Sequence, residues 1–164
     1  MERRAAIKQV LIFAGGMTLL PSFLKGAGKA SIQLNYLDVD LTQEKLLSQI
    51  AEIIIPKTTT PGAKDLGLHL FVLKMVDDCY DENTRQKFMS GLKSFEGLEG
   101  AALKQMVTDV NYGKAEVPGD VKSFYKVMKQ QTINGYVNSK YVMTNLIKWE
   151  LVPARYNGYF PVKA

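Results

Sequence analysis

The chain has one histidine, His69, one cysteine, Cys79, and one tryptophan, Trp149, among 164 residues. A metal centre needs several ligands converging, and neither His69 nor Cys79 has a companion at ligand spacing. A single cysteine forms no internal disulfide, so the fold must rest on its core. With 46% hydrophobic residues, one core is attainable. His69, near a helix start, reads as a surface or packed side chain. Cys79, ending an apolar face, reads as a small core residue.

Catalytic motifs are missing too. The stretch GAGKAS looks like a phosphate loop, but Ala30 follows Lys29 where Ser or Thr is needed, and Phe23 stands where the motif wants glycine. No G-x-G-x-x-G follows a strand. The pairs Asp77-Asp78 and Asp81-Glu82 read as solvated helix ends, and no nucleophile comes with a recognisable base. Catalysis by this chain alone is therefore not expected: no catalytic, cofactor-binding or metal residue is assigned.

The body also lacks excess charge of either sign. Residues 1–30 hold Arg3, Arg4, Lys8, Lys25 and Lys29 against Glu2, which accounts for +4 of the formal +5. The remaining residues carry 16 basic and 15 acidic side chains, too balanced to track a phosphate backbone, so nucleic acid is not an expected partner. There is no long apolar run. The uncharged stretch Gln9–Leu24 has 16 residues interrupted by Gly15, Gly16 and Pro21, short for a spanning helix. A basic start, a modest apolar centre and the small-residue exit KGAGKAS make a secretory leader. Arg3-Arg4, with Ile7 and Lys8 following, resembles a twin-arginine export signal, although Glu2 and Ala6 depart from its usual pattern. The nearest cleavage pattern is Gly28-Lys29-Ala30.

What the chain does have is helical periodicity. In LTQEKLLSQIAEIIIP, Leu46, Ile50, Ile53 and Ile54 share a face, Thr42 is the expected N-cap with Leu41 and Leu46 as staple, and Pro56 ends the helix. The breaker segment PKTTTPGAKDLG follows. A second helix is expected over Leu68–Cys79, with Phe71, Val72, Met75, Val76 and Cys79 on one side. Asp81 should cap a third carrying Phe88, Met89, Leu92 and Phe95. Gly97 and Gly100 separate it from a short fourth with Leu103, Met106, Val107 and Val110; Asn111–Gly119 reads as loop. A longer helix should run from Asp120 toward Tyr136, with another piece over Val142–Trp149. No strict alternation marks a strand. The last residues, VPARYNGYFPVKA, have two prolines and an Asn-Gly turn, so they should form an extended arm whose rings Tyr156, Tyr159 and Phe160 need burial on the body or on another protein. The expected fold is mostly α: a leader over 1–30 and one small helical domain over 31–164 ending in that arm.

The segments IAEIIIPKTTTPGAKDLGL, MVDDCY, FMSGLKSFE and TINGYVNSKYVMTNLIKWELVPARYNGYFPV, with the twin-arginine start, resemble the gluconate 2-dehydrogenase subunit 3 family. The resemblance implies a small subunit without a cofactor that assembles and exports a flavin-dependent large subunit of the glucose-methanol-choline type. In such complexes FAD sits in the large subunit, and a cytochrome with haem c commonly takes the electrons. It further implies a periplasmic location, with membrane association through the complex or an uncleaved leader. Pro56, Thr58, Thr60, Pro61, Gly62 and Ala63 match the family's signature loop; Tyr136, Ser139, Pro153, Arg155, Tyr156 and Gly158 match its C-terminal signature. Many members carry cysteine after that glycine. Tyr159 stands there instead, which excludes a disulfide to the large subunit at this position. Trp149, Tyr159 and Phe160 join Tyr136, Ser139, Pro153, Arg155 and Tyr156 as expected partner contacts. The alternative is a freestanding exported binding protein or a membrane-tethered structural module.

Overall fold

The computed structural model describes residues 28, 30–113, 117–147 and 158–159. The leader residues Arg3, Arg4 and Lys8, and Trp149, Pro153, Arg155, Tyr156 and Phe160 of the arm, lie outside them. The described residues form five α-helices and a π-helical turn, with only an isolated bridge at Asp40 in place of any strand. The helices are α1 (Leu41–Ile54), α2 (Leu68–Cys79), α3 (Glu82–Lys93), α4 (Gly100–Tyr112) and α5 (Gly119–Val137); the π-helix spans Val142–Leu146.

α1 begins one residue before the expected N-cap. Asp40, not Thr42, caps it: its carboxylate accepts from the Gln43 amide at 2.7 Å, and the Gln43 side chain accepts from the Asp40 amide at 3.2 Å. An acid three residues ahead of a glutamine makes a capping box, satisfying two orphan donors where threonine would satisfy one. Leu41 consequently stands exposed instead of stapling Leu46. Leu46 and Ile50 are buried, Ile53 and Ile54 pack at the core margin, and the helix stops because Pro56 forces Ile55 into extended backbone.

α2 matches its expected span, but its buried set is Leu68, Val72, Leu73, Val76 and Asp77. The core stripe is therefore rotated from the expected face: Phe71 is 40% exposed and Cys79 is exposed, not a core residue. Asp81 caps α3, accepting from the Thr84 amide at 3.1 Å. α4 runs to Tyr112, beyond the expected loop start at Asn111, because Gly113 supplies the left-handed residue (φ 65°) that terminates it.

α5 is the axis of the domain and touches each of the other four helices. It carries Val121, Phe124, Tyr125, Met128, Gln131, Thr132 and Gly135 inward. α3 crosses it closely because Gly91 has no side chain: a β-carbon there would collide with the Phe124 β-carbon and lie 2.6 Å from the Asp120 carbonyl. The rings of Phe88 and Phe95 close on Phe124 at centroid distances of 4.8 and 5.3 Å. The last helical piece is shorter than expected, ending at Leu146 with Ile147 extended.

Candidate partner-binding site

The signature loop leaves α1 at Pro56 and returns to α2 at Leu68, and one side chain the sequence reading overlooked organises it. Glu52, in the last turn of α1, accepts from the Lys57 amide at 2.9 Å through one carboxylate oxygen and from the Lys64 amide at 3.0 Å through the other. A carboxylate near a helix C-terminus opposes the macrodipole, so its placement there needs local compensation, and the two amides supply it. Its signal in the sequence was this misplacement, an acid four residues before a helix-ending proline.

The loop residues fit around that clamp. Gly62 is buried against it: a β-carbon would lie 2.6 Å from a Glu52 oxygen and 2.7 Å from the Lys57 nitrogen. Ala63 is fully buried, and its amide donates to the Ile55 carbonyl at 2.9 Å, closing the loop's neck. Lys57 and Asp65 pair at 2.9 Å across the outside. Their mutual hydrogen bond holds the lysine above and the carboxyl below their ordinary values. The Thr58 amide donates to the Thr60 carbonyl at 3.1 Å, so the exposed tip Thr58-Thr59 is a tight turn. Gly67, at φ 63°, then turns the chain into α2.

The two separated signatures meet here. Tyr136, on α5, donates its hydroxyl to the Thr60 hydroxyl oxygen at 3.2 Å across 76 positions of sequence. Ser139 lies just beyond. Its hydroxyl accepts from the Val142 amide at 3.3 Å and its carbonyl from the Met143 amide at 3.0 Å, so it caps the helical turn that leads into the π-helix. Of the remaining expected contacts, Tyr159 is described and is 96% exposed. Ile133, Val137, Leu146 and Ile147, on α5 and the segment leading to the arm, are also exposed large apolar residues.

Of the acidic pair of α2, Asp78 is solvated at the helix end, as expected, but Asp77 is not. Asp77 is fully buried, its carboxylate accepting from the amides of Asn35, Tyr36 and Leu37 at 2.7, 2.8 and 2.8 Å. Burial pushes its carboxyl up, but the three amides, with Lys74 nearby, outweigh this and hold it below the ordinary value. His69 is partly buried, its Nε2 3.9 Å from Glu44, and burial lowers its basicity more than Glu44 restores it. Among the described residues, no three His, Cys, Asp or Glu side chains gather in metal-binding geometry, and no helix is long and apolar enough to cross a membrane.

No curated protein and no solved structure matches the chain. The family model described as Gluconate 2-dehydrogenase subunit 3 matches residues 42–154, from α1 through the signature loop and Tyr136 to the start of the arm. That match covers well over half of the chain, and the chain belongs to the gluconate 2-dehydrogenase subunit 3 family.

Proposed function

We propose that the protein is the non-catalytic small subunit of a dehydrogenase complex, binding and assembling a flavin-dependent large subunit of the glucose-methanol-choline type and carrying it to the periplasm by the twin-arginine route. On this reading FAD belongs to the large subunit and haem c to a cytochrome that accepts its electrons, and this chain holds neither. The twin-arginine route moves folded proteins, and a leader on a chain of this composition serves a companion loaded before export.

The observation that carries the proposal is the family match, which takes in the signature loop and Tyr136, Ser139 and Pro153 of the C-terminal signature. The junction of Thr60 with Tyr136 supports a contact surface built from them: a braced loop with an exposed tip beside the exposed apolar residues of α5. Interfaces favour prearranged surfaces with aromatic anchors, because little conformational freedom is then lost on docking. On this reading Trp149, Pro153, Arg155, Tyr156, Tyr159 and Phe160 are further contacts with the large subunit.

The test is co-expression with the large subunit after changing Arg3 and Arg4 to lysine. Both chains should stay in the cytoplasm. Undiminished large subunit in the periplasm contradicts the escort role.

A further inference from the structure

The stretch leading into α1 has its backbone amides committed at both ends and at its central turn. Ala30 donates to the Val39 carbonyl at 3.0 Å, and Leu41 donates to the Gly28 carbonyl at 2.8 Å, so the chain doubles back on itself just after the leader's exit. Ser31 gives its amide and its hydroxyl to the Glu44 carboxylate at 2.6 and 2.7 Å. Asn35, Tyr36 and Leu37 give theirs to buried Asp77. Arg85 fixes the outside of this turn. Its guanidinium lies 4.4 Å from the Tyr36 ring centroid while donating to the carbonyls of Asp77 and Tyr80 at 3.2 and 2.9 Å. Leu37 and Val39 are buried, and Ala30, Ile32 and Leu34 pack on the core.

Endopeptidases take their substrates as extended strands, pairing with the substrate's own amides and carbonyls. Tyr36 and the other exposed side chains leave the segment's outer face open, but with the amides of Ala30, Ser31, Asn35, Tyr36, Leu37, Asp40 and Leu41 engaged and alternate side chains on the core, it reaches that conformation only by local unfolding. We propose that the folded domain seals residues 30–41 against endoproteolysis, with Asp77 and Arg85 as the locks, so that the bond after Ala30 survives processing and residues 30–40 belong to the mature domain. The consequence for the leader rests on the export reading above; the shielding does not.

Limited proteolysis of the full chain with subtilisin, mapped by mass spectrometry, tests the shielding. Bonds within 30–41 should be cut at least tenfold more slowly in the native protein than in Asp77→Asn, whose amide can no longer accept from all three backbone donors. The helical circular dichroism of the two should match. If Asp77→Asn loses that signal, Arg85→Gln serves in its place, since it releases Tyr36 without disturbing a buried carboxylate. Equal, rapid cutting within 30–41 in native and variant chains overturns the seal, and equal resistance in all three overturns the assignment of the locks. In protein recovered from the periplasm, an intact mass retaining Ala30 is expected, whereas a chain starting anywhere from Ser31 to Leu41 overturns the proposal. Failure of the chain to appear there bears on the export reading alone and leaves the proteolysis result standing.

Discussion

Glu52 carries the signature loop through two hydrogen bonds from amides five and twelve residues away, one to each of its side-chain oxygens. Glutamine has nearly the same shape but one acceptor, and its NH2 would face the second amide donor. Glu52→Gln should therefore lower stability by about 0.5–1.5 kcal/mol, the usual net worth of one hydrogen bond whose donor can turn to water. Urea unfolding measures this, and amide exchange should show faster exchange at Lys57 and Lys64. Gly62→Ala should cost ~1–3 kcal/mol, because its methyl group must displace the same carboxylate. Asp77 gives a pH signature. Its carboxyl is held below the ordinary range when folded, so the folded state binds fewer protons than the unfolded chain. The stability it contributes is present above the ordinary carboxylate value and is lost as pH falls through the folded one. Acid titration followed by exchange at Asn35, Tyr36 and Leu37 should show these three amides loosening together below about pH 4, the ordinary aspartate range. In Asp77→Asn the same amides should exchange fast at every pH.

Among elements, the helices were largely readable because their starts and stops are chemical: Asp81 ahead of α3, Pro56 after α1, and the periodic Leu, Ile, Val and Phe between them. The departures have local causes. Asp40 outcompetes Thr42 as a cap because Gln43 completes a reciprocal pair with it, and the core stripe of α2 is turned toward Asp77 because a buried carboxylate is satisfied only by amides from the distant segment 35–37. No pattern within α2 encodes that long-range pairing. The candidate site was legible as two signatures, but not as one place: Thr60 and Tyr136 are joined by the path of α5, which no local spacing reveals. Tyr136→Phe should cost about 0.5–1.5 kcal/mol of stability. In a double-mutant cycle with Thr60→Val, the pair should show a nonzero coupling, since each change removes the same bond. If loop and α5 form one docking surface, affinity for the large subunit should fall in both single variants and little further in the double one.

For the whole molecule, the described residues offer a core centred on Phe88, Phe95 and Phe124, a braced loop, and the exposed Tyr159 ring and aliphatics toward the C-terminal end. Replacing Tyr156, Tyr159 and Phe160 by alanine separates contact from core: assembly with the large subunit should weaken by more than tenfold while the melting temperature of the isolated chain moves by only a few degrees. A fall in melting temperature alone would place the arm in the core. The central claim, that this chain works as the companion of a flavoprotein, is tested most directly by affinity capture of the tagged full chain from its native host, followed by size exclusion with absorbance spectra across the peak. The account predicts a larger polypeptide co-eluting with the tagged chain and carrying flavin absorbance that the small chain purified alone does not show. A tagged chain that elutes by itself, or one that is yellow without a companion, contradicts it.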